Sequence, residues 1–149
     1  MLSAELLAHG HLVRGTTRRE AGLAEIEAVG AEAALADPDR IGTVIGAVAQ
    51  VSAICVLLGS AAGSDEALAA LHGPRLEMLM TRILDTTVRG VVYESAGSVD
   101  ARLLSAGAAL VTSFCRRSLV PFALLDRDPA DGYSEWTAAA LACVGGVIG

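Results

Sequence analysis

A chain of 149 residues with 53% hydrophobic but only 3% aromatic content is long enough for one packed domain, whose core must be built from Ala, Val, Leu and Ile. A formal charge of −6, with arginine supplying all 11 basic residues, excludes the broad basic footprint of a nucleic-acid binder and still leaves room for a local anion site. No apolar run reaches the roughly 18 residues that a membrane span needs, and the N-terminus lacks a basic region followed by an apolar one. The expectation is therefore a cytoplasmic chain with no membrane partner.

The chain opens on MLSAELLAHG, where Leu2, Leu6 and Leu7 share a helical face and Gly10 stops the helix. It reads as the back half of a helix. His9 and His11 flank the turn as surface histidines. Leu12 to Thr16 reads as a short buried strand, followed by Arg18 and Arg19. Two readings of that arginine pair stand side by side. One is a solvated helix start. The other is an anion clamp at the carboxyl end of a strand, where open α/β sheets bind ligands and where a planar guanidinium can hold two phosphate oxygens.

Glu20 to Val29 carries Leu23, Ile26 and Val29 at helical spacing and closes on Gly30. Ala31 to Ala36 is a strand bounded by Gly30 and the turn Asp37, Pro38, Asp39. Ile41 to Val48 is a helix in which Gly42 and Gly46 weaken the propensity but would allow close packing. Val51 to Leu58 is apolar at nearly every position, as a strand covered on both faces must be, and ends in small residues at Gly59, Ser60 and Ala61.

Asp65 to Leu71 makes a short helical turn, interrupted at Gly73 and Pro74. Arg75 to Leu84 continues as a helix with Leu76, Leu79, Met80 and Ile83 inward. Val88 to Tyr93 is the next strand, with Glu94 to Gly97 as its exit. A helix from Asp100 to Arg117 leads to a strand from Leu119 to Leu125, where Pro121 fits an early or edge position better than a central one. The acidic loop Asp126 to Gly132 lacks the spacing of a calcium loop and reads as a solvated turn. Tyr133 to Ile148 is a terminal helix whose Trp136 closes the core. The three cysteines, 55, 115 and 143, are odd in number and lie in apolar runs. They are expected to be buried free thiols, with no disulfide and no metal.

Five strands alternating with helices predict an α/β fold with a mostly parallel sheet, helices on both faces and a single domain over residues 1–149. Several fragments carry a resemblance: LLAHGHLVRGTTRRE, LADPDR, VLLGSA and RGVVYESAG. Together they resemble the atypical, NAD(P)-binding branch of the short-chain dehydrogenase/reductase and epimerase superfamily, and in particular its small, actinobacterial-like Rossmann proteins. The resemblance implies that Arg18 and Arg19 lie by the adenosine ribose, favouring NADP over NAD. It places Asp37 near the adenine amino group, Gly59 and Ser60 along the cofactor, and Ser95 at the active-site serine or threonine position. Asp37 can also serve as a turn cap beside Pro38, and Ser95 as a small exit residue.

The departures from the family pattern are equally specific. Its first strand and glycine-rich fingerprint are missing, as though the fold were N-terminally truncated. That turn holds the pyrophosphate, so NADP binding is expected to be weak or lost. Its tyrosine and lysine pair is also absent, since the chain has no lysine. Two functions follow: an NAD(P)-binding, oxidoreductase-like protein, or a non-catalytic Rossmann remnant acting through a partner. The strand edges left beside a missing central strand would invite self-association.

Overall fold

The computed structural model describes residues 2–149. The order is α1 (Leu2–Ala8), β1 (Arg14–Thr17), α2 (Leu23–Ala28), β2 (Glu32–Leu35), α3 (Ile41–Ala47), β3 (Ala53–Val56), α4 (Asp65–Leu71), α5 (Pro74–Ile83), β4 (Gly90–Glu94), α6 (Ala101–Ser118), β5 (Phe122–Leu125) and α7 (Tyr133–Ile148). Short 3-10 turns at Glu20–Gly22 and Pro129–Asp131 lead into α2 and α7. This is the expected α/β alternation, in a Rossmann-like arrangement with parallel strands flanked by helices.

The local sequence accounts for the helix ends. Ser64 begins α4 by accepting a hydrogen bond at Oγ from the Ala67 N–H (3.1 Å), and Asp100 does the same for α6 through Oδ1 and the Arg102 N–H (2.8 Å). Pro74 opens α5, where a missing N–H costs nothing. Arg116 and Arg117 sit in the last turn of α6, on the favourable side of its dipole. The helix stops at Leu119, a left-handed residue with φ 57°.

The strands form two parallel sheets rather than one. β1 pairs with β2, and β3–β4–β5 form a three-stranded unit with β4 in the middle. The expected parallel strands are therefore present, but each is shorter than its apolar run. Leu12, expected inside the first strand, lies outside β1 and is 100% exposed. β5 is an edge strand preceded by Pro121, whose carbonyl accepts from the Val91 N–H.

Contacts between the sheets show that all five strands run the same way. At the amino end, Arg14 opens β1 and donates to the carbonyls of Ala47 (2.7 Å) and Ala49 (2.8 Å), which lead into β3. At the carboxyl end, Asp39 beyond β2 pairs with Arg75 beyond β3 (3.0 Å). One core cluster joins Met80, Ile83, Val91, Tyr93, Val111 and Cys115 of α5, β4 and α6. A second, on the other face, gathers Leu2, Leu6, Val92, Leu125, Trp136 and Ala140 from α1, β4, β5 and α7. β4 is buried at all five residues because both clusters cover it.

Two expectations are corrected. Of the three free thiols only Cys115 is buried; Cys143 is half-buried and Cys55 is exposed. Cys55 lies on β3, which has no neighbour on one edge. Gly42 and Gly46 do not mediate close packing, since a Cβ at either position would meet nothing within 4 Å. Their cost to α3 is thus uncompensated. Gly46→Ala is expected to stabilise the chain by roughly 0.4–1 kcal/mol, read as a higher urea midpoint at unchanged slope. A loss of stability at that position would contradict the open environment.

Candidate functional site

With all strands parallel, their carboxyl ends form one rim, and the sequence-predicted residues fall on four successive exits. Arg18 and Arg19 follow β1 and are exposed. Among the described residues neither guanidinium forms an ion pair. The turn beneath them is stiffened by Thr17, whose Oγ1 accepts from the Arg19 N–H (3.2 Å).

Asp37 follows β2 and is half-buried. Its Oδ1 accepts from the Asp39 N–H (3.0 Å), and its own N–H donates to Thr43 Oγ1 (2.8 Å). The side chain thus caps the turn beside Pro38, as the alternative reading held. Next to it, Pro38, Ile41, Val44, Val56, Leu58 and Leu79 line a small apolar cleft of about 50 Å³.

Gly59 and Ser60 follow β3. A Cβ on Gly59 would collide with the Ala96 carbonyl oxygen, and one on Gly97 with that of Gly59. The two exits are stacked backbone on backbone. Ser60 Oγ accepts from the Ser98 N–H (3.2 Å), tying them further. Ser95 follows β4. Its N–H donates to the Leu125 carbonyl (2.9 Å) and its Oγ lies 3.4 Å from the same oxygen.

Three further polar side chains lie beneath the rim, and two of them, Glu94 and His72, escaped the sequence reading as interacting groups. Glu94, the last residue of β4, is 3% exposed. Its Oε2 accepts from the Gly59 N–H (2.8 Å) and its Oε1 from Trp136 Nε1–H (2.8 Å). Burial raises its pKa, and those two hydrogen bonds partly offset the rise. The second is His72, also 3% exposed and held between the Leu58 carbonyl (3.0 Å from Nε2) and Tyr93 Oη (2.7 Å from Nδ1). A carbonyl only accepts, so Nε2 carries the proton and Nδ1 accepts from the tyrosine. Burial lowers the His72 pKa.

The third is Tyr93, fully buried and pushed up to about 12, first by burial and then by the neighbouring Glu94 charge. It is a fixed donor beneath the rim. The signal available in sequence was a carboxylate ending an otherwise apolar strand, VVYE. Beyond β5, Asp126, Asp128, Asp131 and Glu135 surround Arg127 in an open polar cleft of about 320 Å³. No group of side chains suited to a metal ion occurs among the described residues, and no described helix is long and apolar enough to cross a membrane.

Comparison with solved structures agrees with this architecture. The chain is similar to the protein gox2253, with TM-score 0.68 and 16% identity over 83% of this chain and 46% of that one. It is also similar to the triphenylmethane reductase of Citrobacter sp., with TM-score 0.63, 14% identity and coverage of 85% and 44%. The same reductase complexed with NADP(H) superposes with TM-score 0.63 and 16% identity. At this identity the likeness establishes the Rossmann-type fold. The chain spans a little under half the length of these proteins. No family model matches the sequence, and no curated protein matches it.

Proposed function

We propose that the rim is the adenosine-side half of a dinucleotide site with a preference for NADP. The observation that carries this reading is the pair of exposed guanidiniums of Arg18 and Arg19 at the carboxyl end of β1, which form no ion pair among the described residues. They share that rim with the small-residue exit at Gly59 and Ser60. A similarly folded reductase was solved with NADP(H), which supports the same ligand class here.

The residues fit such a cofactor in part. Arg18 and Arg19 suit the ribose phosphate, and the Asp37 turn with its apolar cleft suits an adenine edge. No residues supply the family's GxGxxG turn for the pyrophosphate. Affinity is accordingly low, and specificity outlives it.

Ser95 is the group on this rim nearest to a substrate position in the proposal. It has no tyrosine and lysine pair beside it: Tyr93 is locked under the rim by His72, and lysine is absent. Ordinary carbonyl reduction is therefore expected to be absent or very slow. The chain is an oxidoreductase-like binding protein of unassigned substrate. The alternative of a partner-binding Rossmann remnant is favoured by the unpaired edges of β1 and β3.

Calorimetric titration with NADPH and NADH tests the binding claim. It should use the chain as it stands and a version extended at its N-terminus by a strand and glycine-rich turn. Weak or undetectable binding is expected for the first, and tighter binding with NADPH favoured for the second. Arg18→Gln or Arg19→Gln should cut that preference about tenfold, the loss of one charge-assisted phosphate contact. Equal binding of both cofactors by the extended chain would remove the arginines from the site.

A further inference from the structure

A single peptide unit at the exit of β3 is held from both sides by buried ionisable side chains. Its carbonyl, that of Leu58, accepts from His72 Nε2–H (3.0 Å) and from the Ala61 N–H (3.2 Å). Its N–H, that of Gly59, donates to Glu94 Oε2 (2.8 Å). The other carboxylate oxygen takes the indole N–H of Trp136 (2.8 Å). Glu94 therefore joins a loop to the second core cluster, where Trp136 packs with Leu125 and Ala140.

The two N–H groups differ in freedom. The indole is buried in that cluster and stacks on Tyr133 with ring centroids 5.5 Å apart. Gly59 belongs to a loop and has no side chain to hold it. An ionised carboxylate only accepts, so it serves both donors at once. A protonated carboxyl carries an O–H on one oxygen, which then meets an N–H as donor against donor. The indole is fixed, so the glycine N–H is the group that yields. The Leu58 carbonyl keeps both of its donors whatever the state of Glu94, and acts as the hinge.

We propose that Glu94 is a proton-operated latch on the exit of β3: its carboxylate holds the Gly59 N–H inward, and uptake of one proton from water at Oε2 releases it. The polar cleft beyond β5, lined in part by Asp128 and Trp136, is the route for that proton. Release passes to the exit of β4, because the Gly59 carbonyl accepts from the Val99 N–H (3.0 Å) and Gly97 packs against it.

The groups around the carboxyl set the range in which the latch works. Asp128 bears on it from the loop after β5, Tyr93 adjoins it on β4, and His72 reaches it only through the shared peptide. The exit of β3 and α7 face it with the two N–H donors. Burial raises the pKa of Glu94 above the ordinary 4.5; the two N–H bonds offset part of the rise, and the Asp128 charge adds to it. The latch is thus closed above the folded pKa and opens as pH falls through it. This inference does not rest on the dinucleotide reading, because the amides report it with no ligand bound.

Proton–nitrogen NMR of the whole chain, titrated from about pH 8 to about pH 4, is the test. The Gly59 amide, the Trp136 indole N–H and the Val99 amide should shift with one common midpoint above 4.5. Protection of the Gly59 amide against hydrogen exchange should fall about tenfold below that midpoint, the loss of one hydrogen bond. Glu94→Gln is neutral and cannot accept at its amide nitrogen, so it should flatten all three titrations and leave Gly59 unprotected at neutral pH. Asp128→Asn should move the midpoint down, because a charge opposing ionisation is gone. Trp136→Phe should move it up, because a donor to the carboxylate is gone. A glutamate with a merely structural role would show no such opposed shifts.

Separate midpoints for Gly59 and the Trp136 indole would overturn the proposal. So would a Gly59 shift that persists in Glu94→Gln, since it would then follow His72. Asparagine at position 128 keeps the cap that Asp128 Oδ1 gives the Ala130 N–H (2.9 Å), so that variant remains decisive even if Glu94→Gln does not fold. An unmoved midpoint in Asp128→Asn would likewise overturn the latch.

Discussion

Trp136→Ala should destabilise the chain by about 5 kcal/mol, much of the roughly 5–15 kcal/mol available to a domain. Two losses combine. Truncating a buried tryptophan costs about 3–5 kcal/mol, and an orphaned acceptor about 1–3. Trp136 is only 6% exposed and its Nε1–H is the partner of Glu94 Oε1. Trp136→Phe separates the terms, since it retains most of the apolar volume and loses the hydrogen bond. It should cost roughly 1–3 kcal/mol. Urea unfolding followed by circular dichroism measures both, because the only tryptophan is the one replaced. An unchanged midpoint for Trp136→Phe would mean that the Glu94 contact contributes nothing.

Stability should fall as the pH drops below about 6.5, through His72. Its pKa in the fold lies below the ordinary 6.5 because it is buried. A depressed folded pKa means that the unfolded chain takes up the proton first. The contribution is complete above 6.5 and is lost as pH falls toward the folded value, at up to about 1.4 kcal/mol per pH unit. The structural reason is direct: a proton on Nδ1 would face Tyr93 Oη with a donor where an acceptor is needed. Glu94 works in the opposite sense. Its raised pKa gives stability below 4.5 that is lost as pH rises through its folded value. Comparing the chain with His72→Gln cancels the Glu94 part, which both share. The histidine variant should show a flatter profile between pH 7 and 5.5. Parallel profiles would remove His72 from the acid response.

The order of elements was legible because apolar runs and their punctuation agree. VSAICVLL and RGVVYE are too apolar for solvent-facing segments and end at Gly59 and Ser95. Helices α4 and α7 coincide with their expected limits, as Ser64 and the turn at Gly132 mark their starts. Strand length was not legible, because hydrogen bonding to a neighbour decides it. Leu12 is as apolar as Val91, yet one has no partner strand and the other has two. The rim positions of Arg18, Asp37, Gly59 and Ser95 followed from strand exits alone. The Glu94–Trp136 bond joins residues 42 apart, and no local pattern encodes such a contact. His72 was hidden in the same way, its partners lying 14 and 21 residues away.

The stacking of Gly59 on Gly97 makes the exits of β3 and β4 a single ledge, because neither loop can shift without displacing the other's carbonyl. Arg18, Arg19 and Asp37 stand on the other sheet, which no strand ladder joins to that ledge. The rim is thus shared between two sheets that side chains, not a ladder, hold in register: Arg14 on the carbonyls of Ala47 and Ala49 at one end and Asp39 on Arg75 at the other. Neutralising Arg14 or Arg75 would therefore loosen the alignment of the arginine pair with the ledge without touching either.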